Sequence, residues 1–243
     1  MSQVKSPFAR NLKQGVRAAW PICLGYIPIG LAFGVLAQKA GMSWISIAVM
    51  SVIVFAGSAQ FIAVSMLASG AAAMAIIVTT FFVNLRHVLM SSALSVWLQN
   101  EHRGKLSAFA FTVTDESFAV NYTRFLNGNW DLQRSQVVNY TAYFTWIFST
   151  VTGGFCGHYI PAHSFGIDYA LIAMFICLLS FQLTNRLVIL TAVVAGLVSV
   201  ILSVYIAGNS HVILASVFAA TVGVGLGRLR YFKNKTDIEE KEL

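Results

Sequence analysis

The chain is a succession of long apolar runs separated by short polar breaks. A helix needs about 20 apolar residues to cross the hydrocarbon of a bilayer. Runs of this kind occupy roughly 17–38, 44–69, 71–98, 106–126, 136–158, 168–184, 187–207 and 211–227. The stretch 187–227 is free of charge but too long for one crossing, and Gly208-Asn209-Ser210 supplies the turn that divides it. The pattern predicts an all-α, polytopic helical membrane protein with about eight transmembrane segments. Residues 1–16 read as a basic arm, 17–227 as a single transmembrane domain and 228–243 as a polar tail.

Composition excludes the soluble alternatives. Only 10% of residues are charged and 57% are hydrophobic, where a soluble domain carries about 25% charged residues. The mean hydropathy is +0.73. The first apolar run is a full span rather than the short core of a cleavable signal peptide. Cys23, Cys156 and Cys177 all fall in apolar segments without metal-ligand or disulfide spacing, so they read as small apolar side chains.

Charge gives orientation. The net charge of +7 comes from basic residues at the two ends and in short gaps, which suits membrane anchoring and not nucleic acid. Lys5, Arg10, Lys13 and Arg17 precede the first span, and Arg228, Arg230, Lys233, Lys235 and Lys241 follow the last. Basic residues favour the cytoplasmic side, so both termini are expected there, after an even number of crossings. Arg124, Arg134 and Arg186 then fall inside, and the loops 159–167 and 208–210, which lack Lys and Arg, fall outside. Arg103 and Lys105 disagree, which makes 106–126 either re-entrant or an exception to the rule.

Against this background Arg86 stands out. Residues 40–85 and 87–100 contain no Asp, Glu, Lys or Arg. A charge at mid-depth costs roughly 2.5–3.5 kcal/mol on insertion scales, so it faces a protein interior or a wet cavity. Asn84 and His87 are three residues apart and share a helix face. The helix is expected to break near Arg86 or to turn the guanidinium elsewhere. Asp115 and Glu116 form a second polar site, with Thr112, Thr114 and Asn121 around it. A carboxylate held out of water can take up a proton, so this pair, with His87, is the candidate for proton coupling. The competing reading is a structural ion pair between Arg86 and one of the acids.

Two glycine-rich motifs complete the candidate set. In Gly25-Tyr26-Ile27-Pro28-Ile29-Gly30 the proline removes an amide and the glycines weaken the helix, which predicts a break that frees carbonyls. A tolerated kink is the alternative. In Phe55-Ala56-Gly57-Ser58-Ala59-Gln60-Phe61 a break at Gly57-Ser58 would offer amides and a positive dipole end to a carboxylate. A tight helix contact is the alternative there. A short echo links Gly25-Tyr26-Ile27-Pro28 and Phe33-Gly34 to His158-Tyr159-Ile160-Pro161 and Phe165-Gly166. His158, His163 and His211 are scattered near loops, no metal site is expected, and no catalytic or nucleotide-binding motif is present.

Together these motifs resemble the AzlC family. The resemblance rests on Tyr26-Ile27-Pro28 with Ala32-Phe33-Gly34, on Ala56-Gly57-Ser58-Ala59-Gln60-Phe61, on Arg86-His87-Val88-Leu89 and on Thr114-Asp115-Glu116-Ser117-Phe118-Ala119. It implies the large subunit of an inner-membrane permease that exports branched-chain amino acids. It also implies a small hydrophobic partner subunit of the AzlD type; no cofactor is expected, since no cofactor-binding motif is present. The residues fit such a cargo. Tyr26, Pro28, Gly57, Ser58, Gln60, Asn84 and Arg86 are candidates for binding it, with Arg86 toward the carboxylate and Asp115 or Glu116 toward the ammonium. Phe33, Phe55, Phe61 and Phe118 would surround an aliphatic tail. A small-solute channel, a non-transporting membrane scaffold and an intramembrane enzyme are the rival readings, and the last lacks a recognisable catalytic set.

Overall fold

The computed structural model describes residues 7–128, 130–160, 169, 176, 179, 180, 183, 186–205, 214, 215, 218–225 and 227. Among these, every regular element is helical. The chain divides into two compact units, Met1–Met174 and Phe175–Leu243.

The first unit is built on two long helices, α1 (Pro7–Lys39) and α7 (Leu132–Cys156), lying side by side in the same direction. At one end Asn11 Nδ2 donates to Gln133 Oε1 at 3.0 Å. Midway, the Thr145 hydroxyl meets Cys23 Sγ at 3.3 Å, and at the far end Gln38 Nε2 lies 3.3 Å from His158 Nδ1. Small residues allow this approach. A Cβ on Gly34 would sit 2.1 Å from the Thr150 carbonyl oxygen, and one on Gly153 would sit 2.2 Å from that of Leu31. Backbones this close gain dispersion contacts that larger side chains would prevent.

The predicted break near Pro28 does not occur, because α1 is continuous through Pro21 and Pro28. The two prolines are seven residues apart and both are exposed, so their rings share the outward face. The opposite face, with Ile22, Tyr26 and Phe33, is buried, and the Ser149 hydroxyl donates to the Tyr26 carbonyl at 3.3 Å. Packing on α7 holds the helix together where propensity alone would interrupt it. Likewise α4 (Ala73–Ser95) runs unbroken through Arg86. Its charge is met by side chains from neighbouring elements, so the helix has no need to open.

The breaks lie elsewhere, and they reverse the chain. Helix α2 (Trp44–Ile53) starts on a Ser43 cap and ends at Val54, and α3 (Gly57–Ala68) follows after Phe55, which holds a φ of 27°. Gln60 Nε2 donates to Ser51 Oγ at 3.3 Å. Nine residues of straight helix would separate them by about 14 Å, so the two halves fold back on each other. Helix α5 (Arg103–Phe111) ends where the Thr112 hydroxyl bonds back to the Ala108 and Phe109 carbonyls at 3.0 Å. Helix α6 (Asp115–Leu126) starts on a capping box formed by Thr114 and Ser117. Asn139 of α7 reaches the Phe109 carbonyl at 3.4 Å and also accepts from Asn121 Nδ2 at 2.9 Å. On a straight helix those two positions would be about 18 Å apart. The runs 44–69 and 106–126 are therefore helical hairpins rather than single crossings. Each half has 9–12 residues, which spans only about half of the hydrocarbon depth.

The hairpins come from opposite ends. Helix α2 begins beside the far ends of α1 and α7, where a Cβ on Gly154 would touch Ile47 Cδ1 at 2.7 Å. Helix α5 begins beside the start of α7, where Gln136 Nε2 donates to the Lys105 carbonyl at 3.3 Å. Helix α4 connects the two, and Leu94 and Leu98 at its close pack with Phe109, Val113, Phe125 and Leu132. The start of α1, Lys105 and the α6–α7 corner thus share one end. There Arg124 and Arg134 lie 5.5 and 5.9 Å from the Trp130 ring centre, and Arg134 Nε donates to Asn11 Oδ1 at 3.0 Å.

The outward faces are apolar. Trp20, Leu24 and Ile27 of α1, Phe81 and Leu89 of α4, and Phe144 and Phe148 of α7 are exposed. Phe8–Lys39, Ala73–Ser95 and Arg186–Tyr205 are long and apolar enough to cross a bilayer, and α7 has the length with a more polar composition. In the second unit, Arg186–Tyr205 forms α8. A Cβ on Gly223 would lie 2.7 Å from Thr191 Oγ1 of that helix. Most of the predicted span 168–184, the turn 208–210 and the tail 228–243 lie outside the described residues. So do residues 161–166 of the sequence echo, whose first copy sits in the middle of α1 and whose second begins at the end of α7.

Candidate functional site

Both hairpin tips end against the middle of α4. Arg86 Nη1 lies 2.8 Å from Asp115 Oδ2, the first residue of α6, and Nη2 donates to the hydroxyl of Ser58, the second residue of α3. One guanidinium therefore joins the two tips. The neighbouring His87 places Nδ1 2.8 Å from the Val113 carbonyl in the second tip. A carbonyl only accepts, so Nδ1 carries the hydrogen.

Helices α1 and α7 close the other side. Tyr26 Oη lies 2.8 Å from Thr114 Oγ1 and 2.7 Å from Glu116 Oε2. With a single hydrogen, it donates to the carboxylate and accepts from the threonine. The Trp146 ring stands edge-on to Tyr26 at 5.2 Å, and its Nε1 donates to Gln60 Oε1 at 2.9 Å. Gln60 passes this chain on to Ser51, whose hydroxyl lies 2.8 Å from Thr150 Oγ1. Gln60, Ser51 and Thr150 are fully buried, so each needs these bonds to offset its lost hydration. Gly57 fits beneath Trp146, where a Cβ would lie 3.2 Å from the ring. Phe33 packs on Phe61 at 5.1 Å and stacks on Trp146 at 6.1 Å, giving an aromatic wall.

The two half-helix starts differ electrostatically. Helix α6 has a full capping box and two acids in its first turn, which neutralise its positive dipole end. Helix α3 begins at Ala56 with no side-chain cap and no acid, although Ala56, Ser58 and Ala59 are buried. Its dipole is balanced by nothing within its own sequence, and Arg86 adds further positive potential. Asn84 Oδ1, Arg86 Nε and His87 Nε2 are buried without a hydrogen-bond partner. The Arg86 and Asp115 side chains are nonetheless 30% exposed, so the ion pair is not sealed by the surrounding helices. Chemically, the arrangement offers donors for a carboxylate at Arg86 and α3, and acceptors for a cation at Asp115 and Glu116. Among the described residues no cluster of three His, Cys, Asp or Glu could hold a metal ion.

Of the residues singled out from sequence, Tyr26, Phe33, Gly57, Ser58, Gln60, Phe61, Arg86, His87, Asp115 and Glu116 come together here, with Asn84 two residues before Arg86 on α4. Pro28 does not join them, since it faces outward. Phe55 packs behind its tip on Tyr143 at 4.8 Å, and Phe118 packs on Tyr122 at 5.4 Å. Sequence reasoning missed α7. Asn139, Tyr143, Trp146 and Thr150 recur at helical spacing along one face, and each bonds a hairpin. Such polar positions inside an otherwise apolar run are the signal that marks them.

The AzlC protein family matches residues 21–160, which contain both hairpins and all the residues above. The Escherichia coli (strain K12) inner membrane protein YgaZ is 31% identical over 206 residues, covering 81% of this chain and 84% of that protein. The Bacillus subtilis (strain 168) branched-chain amino acid transport protein AzlC is 29% identical over 163 residues, covering 64% of this chain and 61% of that protein. An uncharacterized membrane protein of Archaeoglobus fulgidus is 31% identical over 150 residues, covering 60% of this chain and 62% of that protein. No solved structure matches. The family match covers more than half of the chain and a relative above 30% identity covers most of it, so this helical membrane protein belongs to the AzlC family.

Proposed function

We propose that this membrane transporter exports branched-chain amino acids, as the large subunit of a two-component permease with a small AzlD-type hydrophobic subunit. The observation that supports this reading most is the Arg86 centre. It is a guanidinium inside an apolar crossing helix, tied to both hairpin tips and partly exposed. A branched-chain amino acid is a zwitterion with an aliphatic tail. Its carboxylate would take Arg86 and the uncapped start of α3 at Gly57 and Ser58. Its ammonium would take Asp115 or Glu116, and its tail the wall of Phe33, Phe61 and Trp146. The name of the Bacillus subtilis relative agrees with this cargo. Proton coupling is part of the proposal, with Asp115, Glu116 and His87 as the groups that exchange the proton.

Orientation follows the basic end of the first unit. Arg10, Lys13, Arg17, Arg103, Lys105, Arg124 and Arg134 belong to that end, which is then cytoplasmic. Arg103 and Lys105 cease to be exceptions once 106–126 enters and leaves on one side. Helices α1, α4 and α7 make three crossings, and the runs 168–184, 187–207 and 211–227 would add three. Both termini of the chain then face the cytoplasm.

The test is flux. Labelled leucine, isoleucine, valine and methionine would be followed from loaded vesicles, with and without the small subunit and with and without an imposed pH gradient. Saturable, subunit-dependent efflux of the branched set supports the assignment. Equal leakage of all solutes without counterflow would replace it with a channel, and indifference to the gradient would remove the proton.

A further inference from the structure

We infer that the α5–α6 hairpin is the moving gate of this site and that the α2–α3 hairpin belongs to its fixed frame. The inference rests on the reading that a zwitterion binds at Arg86.

The two hairpins are held by different chemistry. The α2–α3 hairpin contains no charged residue from Trp44 to Ala68. It is fastened to α7 through α2 and the start of α3. Ile47 is fully buried against Gly154, Ser51 meets Thr150 at 2.8 Å, and the Tyr143 hydroxyl donates to the Val52 carbonyl at 2.8 Å. Gln60 accepts from Trp146 at 2.9 Å. Apart from the Arg86 bond to Ser58, a bound amino acid offers no competitor for these contacts.

The α5–α6 tip is held by groups that such a ligand imitates. Asp115 lies on Arg86 and Glu116 on Tyr26. The Val113 carbonyl also accepts from His87 at 2.8 Å, and behind the tip Asn121 donates to Asn139 at 2.9 Å, while the ties of Asn139 to Phe109 and Thr112 are longer, at 3.4 Å. The contacts to Arg86 and Tyr26 are the ones that hold the acids themselves. An incoming carboxylate competes with Asp115 for Arg86. An incoming ammonium competes with Arg86 and Tyr26 for the acids. A ligand moves an equilibrium only through contacts that differ between its states, and here those contacts are the latch itself. The gate would open toward the basic end, where α5 starts and α6 finishes.

The test uses two disulfide locks in a protein whose Cys23, Cys156 and Cys177 are replaced by serine. One lock pairs Thr112→Cys with Asn139→Cys, and the other pairs Ser51→Cys with Thr150→Cys. Leucine exchange is measured in proteoliposomes when reduced, oxidised and re-reduced. The first lock should lower exchange by at least about tenfold on oxidation and recover on reduction, as expected for a gating element. The second should leave it within about twofold. Exchange through the oxidised first lock, or loss confined to the second, overturns the inference. If leucine is not carried by the cysteine-free parent, the substrate reading fails; in that case, or if the pair with Asn139→Cys is inactive when reduced, spin-label distances judge the gate alone. Labels at Tyr122→Cys and Phe144→Cys should give two distances, and labels at Leu67→Cys and Phe148→Cys one. One narrow distance for the first pair overturns the gate.

Discussion

Arg86 and Asp115 meet at 2.8 Å although one sits in the middle of a crossing helix and the other at the tip of a hairpin that turns back beside it. Removing one partner strands the other in a low-dielectric setting, which costs about 1–3 kcal/mol for a group of this kind. Arg86→Ala and Asp115→Asn should each lower transport by at least about tenfold, since a tenfold effect corresponds to roughly 1.4 kcal/mol. Arg86→Ala with Asp115→Ala should destabilise the protein by less than the sum of the single changes. Flux assays and thermal melts in detergent measure the two effects, and normal transport by correctly inserted Arg86→Ala would remove the residue from the mechanism.

The contact between α1 and α7 predicts opposite outcomes for two glycines of one helix. Gly34→Ala places a methyl group 2.1 Å from the Thr150 carbonyl oxygen, so the helices must part, at a cost of about 1–3 kcal/mol or more. Gly25 has nothing within 4 Å of an added Cβ. Gly25→Ala should therefore raise stability by about 0.5–1 kcal/mol through helix propensity. Melting temperatures of the two variants should move in opposite directions.

Pro28→Ala should leave transport intact and raise the melting temperature, because the ring lies on the outward face of a continuous helix. An interior proline costs about 3 kcal/mol relative to alanine, so even partial recovery is measurable. Loss of leucine flux in a well-folded Pro28→Ala protein would show that the local backbone does open during transport.

The hairpins predict a labelling pattern. Cysteines at positions 43 and 69, made by Ser43→Cys and Ser69→Cys, should react with an impermeant maleimide from one face of the membrane. His102→Cys and Asn127→Cys should react from the opposite face. Single crossings would split each pair between the two faces. Opposite-face labelling within either pair would reject the re-entrant arrangement in the membrane.

Asn139 gives a packing test away from the ion pair. Its side chain joins Asn121, Thr112 and the Phe109 carbonyl in a fully buried chain. Asn139→Leu leaves those groups without partners and should lower stability by about 1–3 kcal/mol. Asn139→Gln, which keeps an amide at the cost of an extra methylene, should be affected less. Equal melting temperatures for wild type and Asn139→Leu would mean that the chain is not what holds the hairpin.

Hydropathy and the isolated charges of this chain determine a great deal without coordinates. Apolar runs require helices because lipid satisfies no backbone group, and Arg86, Asp115 and Glu116 require one another because lipid hosts no lone charge. The motif around Gly57 also marks a true interruption, and the family motifs mark the residues that meet. Only the tertiary structure decides the direction of the chain after each interruption. Residues 44–69 and 106–126 have the length of a crossing, and a broken span and a folded hairpin share the same composition. The choice is made by distant partners on α7, where Thr150 and Trp146 meet Ser51 and Gln60, and Asn139 meets Phe109, Thr112 and Asn121. The same is true of Pro28, where a sequence that favours rupture is kept helical by packing against Ser149 and Trp146. Local propensity acts over a few residues, whereas these contacts join positions from 18 to 123 residues apart, beyond the reach of one helical turn.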